Sequence, residues 1–101
     1  MSTTYGRKRT LTVIYIRPDN DESNRILSQL FDERSHFHRG LPLQGREEQV
    51  VNVWEVNLRT ECDEFERFDK GLGVSYTAYR KNSHGRLERL HQDMLKCSET
   101  Q

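Results

Sequence analysis

The run Val50-Val51-Asn52-Val53-Trp54-Glu55-Val56-Asn57-Leu58 constrains this chain more than any other segment. It is the richest apolar stretch, it holds the only Trp, and charge bounds it on both sides. β-Branched and aromatic residues at this density pack well on a pleated surface, so the run predicts a β-strand. Alternation puts Val50, Asn52, Trp54, Val56 and Leu58 on one face and Val51, Val53, Glu55 and Asn57 on the other. The first face is mainly apolar and the second half-polar, which predicts one covered face and one partly covered face. Trp54 is expected to be buried. Val51 and Val53 have no evident cover, and a partner surface or a second copy of the chain would supply one.

The surrounding chain is thin in core material. Hydrophobic residues make up 33% of it, charged residues 32%, and the mean hydropathy is -0.96. A chain of 101 residues supports one domain, and a domain of this size buries about two-thirds of its unfolded surface. Nine aromatic residues and only two Pro argue for order rather than disorder. Lys and Arg (16) balance Asp and Glu (16), giving zero net charge. A dedicated nucleic-acid binder usually shows a basic excess or a basic stripe, whereas a near-neutral chain has little colloidal repulsion and tends to associate.

Cys62 and Cys97 match no CxxC spacing, and the polar N-terminus carries no signal-peptide pattern. They read as free thiols in a reducing cytoplasm, or in the nucleus of a eukaryote. No apolar stretch approaches the roughly 18 residues that a membrane-spanning helix needs.

Residues 1–9 read as a flexible basic tail ending in Arg7-Lys8-Arg9, residues 10–97 as a single domain, and residues 98–101 as a C-terminal tail. Leu11 to Ile16 reads as a strand that Pro18 stops, since Pro lacks the N–H a ladder requires. Asp19, Asp21 or Ser23 would cap a helix running to about Arg34, with Ile26, Leu27, Leu30 and Phe31 on one face. Ser35 to Glu48 is polar, holds Gly40, Pro42 and Gly45, and reads as a long loop. Thr60 would cap a short helix from Glu61 to Lys70, which Gly71 would end in a left-handed conformation. Val74 to Tyr79 alternates as a third strand. Asn82-Ser83-His84-Gly85 is a turn. Leu87, Leu90, Met94 and Cys97 then fall at helical spacing, which predicts a final helix from Gly85 to about Cys97. The resulting order is β-α-β-(α)-β-α. Three strands are too few for a doubly wound parallel sheet, so the predicted class is α+β: a small three-stranded, mainly antiparallel sheet with two or three helices packed on one face.

No motif fixes a chemistry. There is no GxSxG elbow, and Gly71-Leu72-Gly73 is too short to cradle a phosphate. No cofactor and no enzymatic activity are expected. His36 and His38, two apart in an extended segment, would point the same way and are the weak candidates for a shared metal. His36-Phe37-His38, followed downstream by Tyr76 and Tyr79 with Arg80-Lys81, resembles the metal-and-tyrosine arrangement of rolling-circle nickases. That resemblance implies a divalent ion on the paired His and a Tyr nucleophile. It covers a handful of residues, and the flanks Arg34-Ser35 and Arg39-Gly40 are polar where that family has an apolar strand.

Two charge blocks remain. Glu61, Asp63, Glu64 and Glu66 interleave with Phe65 and Phe68 and, with Val51 and Val53, are candidate protein-binding residues. Arg7, Lys8, Arg9, Arg80, Lys81, Arg86 and Arg89 are candidate nucleic-acid contacts, with Tyr76 or Tyr79 stacking on bases. The reading with most support is a small non-enzymatic regulatory or inhibitory protein that binds another protein, self-association included. A nucleic-acid binder is the alternative, and a metal-dependent nickase the remote one.

Overall fold

The computed structural model describes residues 11–95. The most apolar strand of the sequence pairs with the second most apolar one, and the sheet grows outward from that pair. Strand β1 (Val13–Pro18) lies at the centre. It pairs antiparallel with β3 (Gln49–Asn57) through Ile14↔Val56 and Ile16↔Trp54. On its other side it pairs with β4 (Tyr76–Lys81) through Tyr15↔Tyr79 and Ile16↔Ala78. Two hairpins complete the sheet. Strand β2 (Phe37–Pro42) lies outside β3, and β5 (Leu87–Leu90) lies outside β4. The order is β2-β3-β1-β4-β5, with every neighbour antiparallel.

The α+β class is as expected, but the sheet has five strands rather than three. Both additional strands are edge strands, and both come from segments assigned to something else. The helix expected to run to about Arg34 ends at Leu30, a separate helical turn, α2 (Glu33–His36), crosses into the predicted 35–48 loop, and β2 follows within it. An edge strand needs no second buried face, so Phe-His-Arg-Gly-Leu-Pro suffices there. The predicted final helix is not formed. Leu87 and Leu90 lie in β5, followed by one 3₁₀ turn, Gln92–Met94. Leucines three apart suit one helix face, but in a strand they point to opposite faces. Here each face has its own core, and each takes one Leu. The Asn82–Gly85 turn joins β4 to β5. The Asn82 side chain accepts the N–H groups of His84 (2.9 Å) and Arg86 (3.0 Å), and Gly85 supplies the positive φ of 79°.

Helices α1 (Asp21–Leu30) and α3 (Cys62–Asp69) cover one face of the sheet. The cap of α1 is Asn20, whose side chain accepts the Ser23 N–H at 2.8 Å, rather than Asp19, Asp21 or Ser23. Ser23 is instead fully buried, and its Oγ accepts the Ser75 N–H. Thr60 forms no cap: Glu61 occupies the N-cap of α3 and makes no side-chain capping bond. Gly71 is not left-handed; that conformation falls to Gly73. Gly71 is demanded by space, since a Cβ there would come within 2.8 Å of Val74 Cγ2. The helix-side core gathers Ile14, Ile16, Trp54, Val56 and Leu58 from the sheet side of the chain with Leu27, Phe31, Phe65 and Phe68 from the helical segments. Trp54 is buried as expected. Met94 is half exposed, and Leu95 takes the core position expected of it.

The second face holds a second core: Tyr15, Val50, Val53, Tyr79 and Leu87, with Val13, Leu41 and Leu43 against them. Val50 and Val53 are an odd number apart, yet share this face. The cause is Asn52, at φ 57°, which breaks the alternation without shifting the β2–β3 register. Beyond this bend, the β2–β3 arm folds across the second face. Leu43 bridges Leu87 in parallel, the Gln44 N–H donates to the Leu87 carbonyl at 3.0 Å, and the Arg86 guanidinium reaches the Leu43 carbonyl. The two sheet edges therefore meet at one corner. Val53 lies entirely inside, while Val51 is 53% exposed.

No helix among the described residues is long and apolar enough to cross a membrane. Cys62 is disulfide-bonded rather than a free thiol, which removes the premise from which a reducing compartment was inferred. Cys97, the basic tail Arg7-Lys8-Arg9 and the C-terminal tail lie outside the described residues.

Candidate functional site

The bend that closes the second face opens the helix-side face. As β3 turns away at Asn52, a groove of about 380 Å³ forms between α1, the end of β1 and the β2–β3 pair. That volume lies within the range of small ligand sites. Phe37 and Trp54 line it as a T-shaped aromatic pair, ring centroids 5.3 Å apart. The Trp54 indole N–H donates to Asn24 Oδ1 at 3.1 Å, which ties the strand to the exposed side of α1. Asp21, Asn24 and Ser28 recur at helical spacing and form one wall.

Asp19 and Glu33 add two further carboxylates, and Asn20 and Asn52 two further amides. Among the described residues, no Lys, Arg or His lines the groove. Asp19 is held by Arg17 at 3.2 Å and by the hydroxyls of Ser75 and Thr77. Asp21 and Glu33 are exposed. The groove therefore has the chemistry of a polar, anionic slot with an aromatic side. It suits a cationic or hydroxyl-bearing group and repels an anion.

None of the groove residues stood among the sequence candidates. One local signal was available. Asn is depleted in strands and tolerates the left-handed conformation, so Asn52 in the middle of an apolar strand marked a bend.

The structure separates the two His. His36 is the last residue of α2, on the helix side, its ring 5.1 Å from Phe31. His38 lies on the second face, 6.1 Å from the ring of Tyr15. His38 Nε2 meets Glu55 at 2.7 Å. His36 Nε2 meets Glu61 Oε2 at 2.6 Å, and its Nδ1 meets the Asp32 carbonyl at 2.8 Å. Glu61 and the Asp32 carbonyl can only accept, so they favour the protonated ring, and the Ser35 hydroxyl also lies 2.9 Å from Nδ1. Partial burial works against that charge, but the bonds to Glu61 and Asp32 outweigh it and raise the pKa above 6.5. Among the described residues, no three His, Cys, Asp or Glu side chains gather as a metal ion would require.

The nickase arrangement does not assemble either. Tyr76 sits against Phe65 and Phe68 with its hydroxyl on Asp69, while Tyr79 is buried in the opposite core. Neither ring is open to stack on a base.

The acidic block divides similarly. Phe65 and Phe68 are core residues. Glu61 is engaged by His36 and by the Asn57 N–H. Asp63 and Glu66 are exposed and Glu64 half-buried. Of the basic candidates, Arg80 is paired with Glu88 at 3.0 Å, and the bonds from Arg80 and Asn82 hold the Glu88 carboxyl below its usual range. Lys81 lies over the Tyr15 ring at 5.2 Å. Arg86 and Arg89 are exposed. No family model, no curated protein and no solved structure matches the chain.

Proposed function

We propose that this chain is a small non-enzymatic protein that regulates or inhibits another protein by binding it, and that the groove beside α1 is its docking site. The observation that carries this reading is the groove itself: about 380 Å³ in volume, edged by Phe37 and Trp54, with Asp21 and Glu33 on its rim and no cation among its lining residues. Phe37, half-buried above the enclosed Trp54, supplies aromatic contact area at small entropic cost. The carboxylates select a partner that presents a basic side chain.

The test is affinity capture from the source cells with the full chain, with Asp21→Lys/Glu33→Lys, and with Glu66→Lys as a surface control. The expected outcome is a specific partner retained by the parent and the control and lost by the groove variant. Identical capture by all three proteins would overturn the assignment to the groove.

A further inference from the structure

Although the chain is neutral overall, one part of its surface exposes cations alone. The helical layer exposes both signs, Asp21, Glu22, Glu33, Asp63, Glu66 and Asp69 together with Arg25, Arg34, Arg67 and Lys70. The second face and the turn leading into it carry exposed Lys81, Arg86 and Arg89. The strand register places them. Tyr79 and Lys81 alternate onto the second face of β4, and Arg89 lies opposite Tyr79 on β5. None of the three forms a salt bridge among the described residues, in contrast to Arg80, which Glu88 neutralises on the other face. The nearest acidic complication is the arm, where Glu48 holds Arg46, and Glu47 and Arg46 share a shallow groove with Arg86.

From this local band of cations we infer that Lys81, Arg86 and Arg89 form a contact surface for the phosphodiester backbone of a nucleic acid, on the side of the molecule opposite the groove. The apolar residues beneath the band are already buried: Tyr15 and Tyr79 are each only 6% exposed, and Leu87 is fully enclosed. A protein partner needs an apolar interface core with little charge, and the band offers none. A backbone polyanion needs only spaced cations. With no aromatic ring of the described residues open for stacking in this band, the contact reads no sequence and rests on charge alone.

The experiment is fluorescence anisotropy of labelled poly(dT) with the full chain, repeated across sodium chloride concentrations. Single strands give a salt slope of about -0.7 per phosphate neutralised, so three cations predict a slope of about -2. Over a fourfold rise in salt, binding should weaken by about 16-fold. Lys81→Gln, Arg86→Gln and Arg89→Gln should each flatten the slope by roughly 0.7, while Arg80→Gln and Arg25→Gln should leave it unchanged. All five side chains are exposed, and a thermal melt of each variant verifies folding.

Absence of binding at low salt, or equal slopes for band and control variants, would overturn the inference. So would salt-sensitive self-association in sedimentation without nucleic acid, abolished by the same three substitutions. That result would assign the band to exposed carboxylates of a second copy.

Discussion

Three side chains show how much single residues decide here. Trp54 joins the helix-side core to the groove through its bond to Asn24. Trp54→Ala removes a buried aromatic that its surroundings cannot replace, and should cost about 3–5 kcal/mol in denaturant unfolding. Asn52 holds φ 57° at the bend of β3. Asn52→Gly should keep the fold at nearly parental stability, because Gly adopts that conformation freely. Asn52→Val should lose about 1–2 kcal/mol or more, since a β-branched residue is penalised there. Equal melting of the two variants would refute the role given to this backbone angle. His36 is held between the Asp32 carbonyl and the Glu61 carboxylate, which favour its charged form. Its pKa is raised in the folded state, so its stabilisation is fully present below about 6.5, the ordinary His value. It is lost as pH rises through the folded-state value. His36→Asn should flatten that fall in urea-unfolding stability on the alkaline side.

At the level of elements, the β2–β3 arm is what gives a thin-cored chain its second core. Leu41, Leu43 and Val50 reach across to Val53, Tyr79 and Leu87, and backbone bonds at Leu43 and Gln44 fasten the arm to β5. Leu87 is the fully buried residue at that junction. Leu87→Ala should cost about 2–5 kcal/mol. It should also speed amide exchange at Gln44, whose N–H it helps to shelter, more than exchange within α1. Uniform acceleration across both elements would mean that the arm is not a separately opening unit. The arm also settles the fate of the two valines left without cover by the sequence. Val53 is enclosed by the chain's own hairpin, whereas Val51 alone faces outward.

For the whole molecule, zero net charge conceals a local imbalance: the β4–β5 side of the second face exposes Lys81, Arg86 and Arg89, while the helical layer exposes carboxylates and cations together. Such a protein should be retained at low ionic strength by both anion and cation exchangers near neutral pH, since exposed charges farther apart than a Debye length act separately. Lys81→Gln/Arg89→Gln should weaken retention on the cation exchanger only, and Asp63→Asn/Glu66→Gln on the anion exchanger only. Parallel loss on both resins would show that the two groups do not act separately.

The sequence by itself determined β1, α1, β3, α3 and β4, the α+β class and the burial of Trp54. Each of these follows from local periodicity, breakers and turn residues that act over a few positions. Only the tertiary structure decided that Phe37–Pro42 and Leu87–Leu90 are strands. Their own residues fit a loop and a helix, and pairing with β3 and β4 supplied the hydrogen bonds that propensity did not. It also decided the groove, which none of the candidate residues foretold. A slot built from the end of one strand, the side of one helix and a bend in another strand requires contacts far apart in sequence, and no periodicity within one element encodes them. Asn52 sits between the two regimes: its identity marked an irregularity in the strand, but only the fold showed that one bent residue closes a core on one face of the sheet and opens a site on the other.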